Sequence, residues 1–452
     1  MWRPGTLIVA LLAVLTAPLA GPASAASGCA WAERLKVPGA EHQEIACLDD
    51  LTTAGTTVSG HTDPNDWAGL HAPGTRNPSD VPGVQIDGYF PDSSRLNNTH
   101  GWQHDSQFVV RMPERWNGGL VVTGAPGNRE QYANDFIIGD WVLARGYAFV
   151  STDKGNVGTS FYTDGERPGD AVAEWNTRVT QLTKAAKAVA KQRYGKAPRR
   201  TYVTGISNGG YLARWQLERQ GGLYDGGVDW EGTLFTPDGP NLFTFLPPAL
   251  RHYPNAAAGD GAARQAMIDA GFAPESERLW AFHYSYYWDL TQRIYREEFD
   301  PGYDGDTQAG YPFCVPGSVP GCDADYDYAS RPAAVRKAVE RVSLTGRIAK
   351  PMITLHGDLD TLLPIRVDSD VYAEMIGDKP RFRYYRVGGG NHVDGLYPAY
   401  PDLLRPILPC YRAAFAAMEN WVDRQDAPPP SATLPRPSDG DVVNTCDLQP
   451  GW

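Results

Sequence analysis

The sequence predicts an α/β fold: a mostly parallel sheet with helices on both faces, interrupted late in the chain by a long insertion. Three observations carry this. Short apolar strand candidates alternate with amphipathic helices between residues 120 and 220. A serine sits between two glycines, Gly205-Ile206-Ser207-Asn208-Gly209, where one strand candidate passes into a helix. The strand rhythm stops near Asn241 and resumes only at Pro351.

The elements follow in order. Arg3, the apolar run Leu7 to Ala20 and Ala23-Ser24-Ala25 read as a signal peptide over residues 1–25, since the run is too short to span a bilayer. Ala26-Ser27-Gly28-Cys29 is a weak lipobox, but lipidating Cys29 would strand an odd thiol. The six cysteines fit three bridges in an exported protein, by proximity Cys29–Cys47, Cys314–Cys322 and Cys410–Cys446. Residues 26–108 are rich in Gly, Pro, Asp and Thr, with short apolar stretches leading into the sheet. Leu120-Val121-Val122 and Tyr147 to Val150 are strand candidates, with a helix around Ile137 to Arg145 between them. From Asp170 to Arg193, Val172, Trp175, Val179, Leu182, Ala186 and Val189 recur at helical steps. Thr201 to Thr204 is the strand before Ser207, and Tyr211, Leu212, Trp215 and Leu217 mark a helix after it.

The core of the fold is thus expected over 109–241 and 345–427, with 242–344 inserted as a lid and 428–452 an extended tail tied back by Cys446. The insertion carries Trp280, Phe282, Tyr284, Tyr286, Tyr287, Trp288 and Tyr295, either as its own packing core or as the lining of a pocket. A net charge of -12 without a long basic run argues against nucleic acid or an anionic membrane as partner. No Cys-x-x-Cys or His-x-x-x-His spacing indicates zinc or a redox centre.

The chemistry rests on residue order. A serine hydroxyl becomes a nucleophile when an imidazole takes its proton and a carboxylate fixes that imidazole. In the α/β-hydrolase fold these three follow successive strands in the order Ser, Asp, His. Strand Met352 to Leu355 leads into His356-Gly357-Asp358-Leu359-Asp360, and strand Phe382 to Val387 into Gly388-Gly389-Gly390-Asn391-His392. Ser207, Asp360 and His392 are therefore the expected catalytic triad. Asp358 is the competing acid, read as a turn residue. His356 is read as structural, while His100, His104 and His283 could lie near the site but are read by default as surface or core residues. The oxyanion donors are expected to be the backbone N–H of Asn208 and one from Ala125 or Gly124, because Pro126 has none. This chemistry requires no cofactor.

Pro113 to Val122 before a glycine-rich loop, Arg145 to Gly155, and Leu344-Thr345-Gly346 with Lys350-Pro351 and His356 to Asp360 resemble the tannase and feruloyl esterase family. The resemblance implies an α/β-hydrolase with a lid between nucleophile and acid, acting on carboxylic esters. In that family a cysteine precedes the serine and another precedes the histidine, joined as a disulfide. Here those positions hold Ile206 and Asn391. The substrate range accordingly stays open between tannin-like, feruloyl, hydroxyalkanoate and other bulky or aromatic esters. The lid of the family also carries calcium, for which Asp300, Asp304, Asp306, Asp323, Asp325 and Asp327 offer hard oxygen ligands. A secreted serine esterase is the expectation. An amidase or peptidase using the same triad, or a binding protein on a hydrolase scaffold, are the alternatives.

Overall fold

The computed structural model describes residues 29–92, 102–303 and 323–449. The proposed signal peptide and the Cys314–Cys322 pair lie outside these residues. Ten strands form one sheet: β1 (His42–Leu48), β2 (Gly83–Tyr89), β3 (Gln107–Pro113), β4 (Gly119–Gly124), β5 (Ala148–Thr152), β6 (Arg200–Ile206), β7 (Gly226–Trp230), β8 (Met352–Gly357), β9 (Phe382–Val387) and β10 (Ala432–Leu434). Their spatial order is β1-β2-β3-β5-β4-β6-β7-β8-β9-β10. The sheet is antiparallel from β1 to β5 and parallel from β5 to β10.

This is the α/β-hydrolase arrangement, and its strands show why the sequence specifies it. Leu120 and Val122 join Val179, Leu182, Tyr211 and Leu212 on one face. Val121, one residue out of phase, joins Ile137, Val142, Phe415 and Met418 on the other. Period-two alternation with both faces apolar is what a strand covered on both sides requires. The helices are α1 (Thr53–Ser59), α2 (Asp140–Ala144), α3 (Asp170–Tyr194) and α4 (Asn208–Arg219), then α5 (Leu242–Ala257) to α9 below, with α10 (Ser369–Ile376) and α11 (Leu408–Arg424) closing the set. The helix expected around Ile137 to Arg145 is split: a π-turn over Asp135–Gly139 runs into the short α2.

Residues 26–108 are less separate than the sequence suggests. β1 and β2 extend the main sheet, and the boundary placed at 108 falls inside β3. Polarity hid this continuity, because β3 and its neighbourhood bury an Arg111–Asp135 ion pair instead of apolar side chains alone. The rhythm does break at Asn241, whose side chain caps α5 by accepting from the Phe243 amide at 3.0 Å. Helices α5, α6 (Gly261–Asp269), α7 (Glu277–Tyr286), α8 (Trp288–Phe299) and α9 (Ala333–Glu340) all lie between β7 and β8. The tail is extended and adds β10, parallel to β9. Cys29–Cys47 and Cys410–Cys446 are bridged, as their spacing suggests. Among the described residues, no helix is long and apolar enough to cross a membrane.

Candidate active site

Ser207 occupies the turn between β6 and α4 with φ 58° and ψ -123°. A non-glycine residue holds such a conformation only where its surroundings enforce it. Here both ends are fixed: the Ser207 amide donates to the Trp230 carbonyl at 2.9 Å, and Tyr211 N–H donates back to the Ser207 carbonyl at 2.9 Å. The flanking glycines make the turn possible. A Cβ on Gly205 would stand 2.4 Å from the Gly209 carbonyl carbon, and one on Gly209 would stand 2.6 Å from the Gly124 carbonyl oxygen. Those contacts are with backbone, which has no room to yield.

The structure brings Ser207, His392 and Asp360 into one chain of contacts. Ser207 Oγ lies 3.0 Å from His392 Nε2, and His392 Nδ1 lies 2.7 Å from Asp360 Oδ2. Asp360 is fixed from all sides. Its Oδ1 accepts from the amides of Leu362 at 2.7 Å and Leu363 at 2.8 Å, and its Oδ2 also faces His356 Nε2 at 3.1 Å. Burial opposes its charge, but the His392 and His356 imidazoles prevail and hold the carboxyl well below the usual range. An ionised Asp360 takes the Nδ1 proton of His392 as its hydrogen bond, leaving Nε2 to accept from the serine hydroxyl. The other aspartate of the loop, Asp358, accepts from the Gly389 amide at 2.8 Å and braces the turn before His392.

His356 belongs to a buried relay behind the acid. Its Nδ1 lies 2.6 Å from Ser369 Oγ, and Arg214 donates to that same oxygen while pairing with Asp229 at 2.7 Å and Asp368 at 2.9 Å. His283, on α7, is a buried residue that reaches the acid loop. Its Nδ1 is 2.6 Å from Thr361 Oγ1, and Trp288 Nε1 donates to the Thr361 carbonyl at 2.6 Å. The residue after Asp360 is thus gripped by two side chains of the inserted helices. His104 stacks on Tyr89 instead, and His100 lies outside the described residues.

The expected oxyanion donors need one correction. Asn208 opens α4, and its side chain donates to the Gly127 carbonyl at 2.9 Å and to Tyr295 Oη at 2.6 Å. Ala125 spends its N–H on the Thr152 carbonyl, at 2.9 Å, because the β4–β5 pairing runs on to Gly124 and Thr152, two residues further than the sequence suggests. Gly124 is the last residue of β4. The chain then turns at Gly127, φ 51°, where Arg129 N–H closes onto the Pro126 carbonyl at 3.1 Å.

One residue was not anticipated. Glu231, directly after β7, has φ 52° and is fully buried. Its Oε1 accepts from the Gly357 amide at 2.7 Å, while Oε2 stands 4.0 Å from His392 Nδ1. Burial and the neighbouring Asp360 charge push its carboxyl well up, against the pull of the Gly357 amide. The only available signal was an acidic residue at the carboxyl end of the strand beside the nucleophile.

Of the carboxylates considered for calcium, Asp304 and Asp306 lie outside the described residues, and the other four are engaged by protein groups. Asp323 pairs with Arg296 at 2.5 Å, Asp325 accepts from Tyr303 Oη at 2.9 Å, and Asp327 caps the turn Tyr328–Ser330 through the Ala329 amide at 3.1 Å. Asp300 is paired with Arg331 at 2.6 Å. A second acidic group, Asp92, Asp164 and Glu174, has Arg178 within it, 2.8 Å from Asp92 and 2.7 Å from Glu174.

Comparison with known proteins bears on the family and the fold. Residues 97–229 match the family described as tannase and feruloyl esterase. A mono(2-hydroxyethyl) terephthalate hydrolase from Piscinibacter sakaiensis is 28% identical over 141 residues, covering 28% of this chain and 23% of that enzyme. The chain therefore aligns with under a quarter of that relative's length. Feruloyl esterase B from Aspergillus oryzae is similar in structure over 88% of this chain and 90% of its own, with a TM-score of 0.54 and 14% identity. The chain thus resembles the tannase and feruloyl esterase family, in sequence across β3 to β7 and in fold across most of its length. Ile206 and Asn391 stand beside Ser207 and His392, so no disulfide joins those two positions.

Proposed function

We propose that the protein is an exported serine hydrolase of carboxylic esters, with Ser207 as nucleophile, His392 as general base and Asp360 as the acid that orients it. The observation that carries this reading is the contact chain Ser207 Oγ–His392 Nε2 at 3.0 Å and His392 Nδ1–Asp360 Oδ2 at 2.7 Å, on a serine held at a strained strand-to-helix turn. The family match over residues 97–229 supports ester hydrolysis as the reaction class.

In this mechanism His392 Nε2 takes the hydroxyl proton as Ser207 Oγ attacks the ester carbonyl. The oxyanion forms at the amino end of α4, where the Asn208 N–H and the helix dipole favour negative charge. The second donor comes from the turn Gly127-Asn128, held against Asn208 by its 2.9 Å side-chain bond. His392 then protonates the leaving alcohol, and water hydrolyses the acyl-enzyme by the same route. Helices α5 to α9 act as a lid, and their aromatic residues favour bulky or aromatic acids, or hydroxyalkanoate oligomers. Part of that aromatic stripe serves packing: Trp280, Trp288 and Tyr295 are buried, whereas Tyr286 is 54% exposed. Export fits the paired cysteines and the amino-terminal apolar run.

The test is turnover of a chromogenic short-chain ester by the wild type and by Ser207→Ala. A loss of about 10⁴-fold or more is expected, as for other triad nucleophiles. Unchanged turnover would remove the triad assignment. A panel of gallate, ferulate, hydroxybutyrate oligomer, hydroxyethyl terephthalate and aryl amide then ranks the substrate classes.

A further inference from the structure

Beside the contacts of the triad and its acid loop, His392 Nδ1 is approached by a second carboxyl group, from Glu231. This side chain comes from the strand between those that carry the nucleophile and the acid, and it is pinned to the acid strand twice. The Glu231 amide donates to the Leu355 carbonyl at 2.8 Å, and the Gly357 amide donates to Oε1 at 2.7 Å. The carboxyl atoms of Glu231 and Asp360 and a ring nitrogen of His392 gather within 4.8 Å of one another, all buried. Oε2 makes no hydrogen bond of normal geometry among the described residues. It stands 4.0 Å from the same Nδ1 that Asp360 holds at 2.7 Å. Two carboxyl groups thus compete for one imidazole nitrogen, and the nearer one wins. A buried glutamate at φ 52°, 4.0 Å from an imidazole that another carboxylate holds, is a costly arrangement for packing alone.

We propose that Glu231 is a positioning residue for His392: a reserve carboxyl that stays neutral beside Asp360 and becomes the ionised partner of Nδ1 when Asp360 is removed. The proposal rests on the triad reading above. Two carboxylates this close cannot both be charged, and the one with fewer donors keeps the proton. Asp360 has two amides and two imidazoles facing it, whereas Glu231 has the Gly357 amide and the Trp230 side chain. The titratable groups facing Glu231 are Asp360, His392 and, beyond them, Asp394. With Asp360 gone, the charge that keeps Glu231 protonated disappears. A shift of about 1 Å then brings Oε2 to hydrogen-bonding distance of Nδ1.

The experiment is a double-mutant cycle on ester turnover with Glu231→Gln and Asp360→Ala, each with a full pH profile. Removing a triad acid without a substitute costs about 10⁴-fold. With Glu231 in reserve, D360A is expected to lose only about 10²-fold, and adding E231Q to lose roughly 10²-fold more. E231Q is expected to cost less in the Asp360 background than in D360A, since there a neutral amide replaces a neutral acid. The kcat/KM profile of D360A should gain an acid limb, from ionisation of Glu231, that vanishes in the double variant. A merely structural Glu231 would not move that limb. Equal factors for E231Q in both backgrounds, or D360A as slow as the double variant, would overturn the proposal. D360A with wild-type turnover would instead overturn the acid assignment, and S207A reports separately on the nucleophile. If melting shows D360A to be unfolded, Asp360→Asn takes its place in the same cycle.

Discussion

His283 makes the stability of the protein depend on pH in a way that can be worked out from its surroundings. The imidazole is 1% exposed, with Nδ1 between the Leu279 carbonyl at 3.1 Å and Thr361 Oγ1 at 2.6 Å. Burial disfavours the imidazolium and lowers its pKa to about 4, from an ordinary value of 6.5. The unfolded chain therefore binds this proton more readily than the folded one. The neutral-state stability is complete above pH 6.5 and is lost as pH falls from there towards 4. With those two values the loss is about 2 kcal/mol at pH 5, and approaches about 3.4 kcal/mol once both states are protonated. The perturbation is His283→Gln, which keeps a polar partner for Thr361 but cannot titrate. Denaturant unfolding of both proteins from pH 8 to pH 5 measures the difference. At pH 8 the wild type should be the more stable, and by pH 5 that advantage should shrink by about 2 kcal/mol. A gap that stays constant across the range would refute the reasoning, because it would mean His283 titrates alike in both states.

Two other substitutions test the scaffold of the site. Gly209→Ala forces a Cβ to 2.6 Å from the Gly124 carbonyl oxygen, so thermal unfolding should show about 1–3 kcal/mol of destabilisation, and ester turnover should fall about 10²-fold as Ser207 moves off His392. Arg214→Met leaves Asp229 and Asp368 buried without their shared cation, so denaturant unfolding should report a loss of about 3–5 kcal/mol.

The sequence announces those parts of the site whose chemistry depends on local geometry. The glycines around Ser207 are demanded by backbone contacts within a few residues, and so they leave a readable pattern. Asp360 follows a strand buried throughout, whereas the strand before His392 carries Arg383 and Arg386 and is legible from Phe382, Tyr384, Tyr385 and Val387. What stays hidden depends on neighbours distant in the chain. Ala125 looks like a free loop residue until Thr152, on the adjacent strand, claims its N–H. Glu231 sits in no motif, and only the fold sets it 4.0 Å from a histidine far along the chain. His283 reads as one more member of an aromatic helix, since its tie to Thr361 crosses from the insertion to the acid loop. The continuity of β1 and β2 with the main sheet is masked by Gln85 and Asp87, buried polar residues that serve Arg111 and Tyr132 rather than solvent.

The carboxyl-terminal tail has a bearing on how the protein behaves among its own copies. β10 pairs with β9 over only Ala432 to Leu434, and the Cys410–Cys446 bridge returns the chain to α11 beyond it. Those few residues stand between the backbone groups of β9 and any strand of a neighbouring molecule that could dock there. An uncovered strand edge is a template for self-association. The bridge therefore does more than brace a tail: it keeps a short, weakly held strand in place as a guard. In a reducing compartment, where the bridge opens, the guard is held by strand pairing and side-chain packing alone. Loss of the guard would reach catalysis as well, because the Gly388 amide, at the start of the turn that carries His392, donates to the Leu434 carbonyl at 2.8 Å.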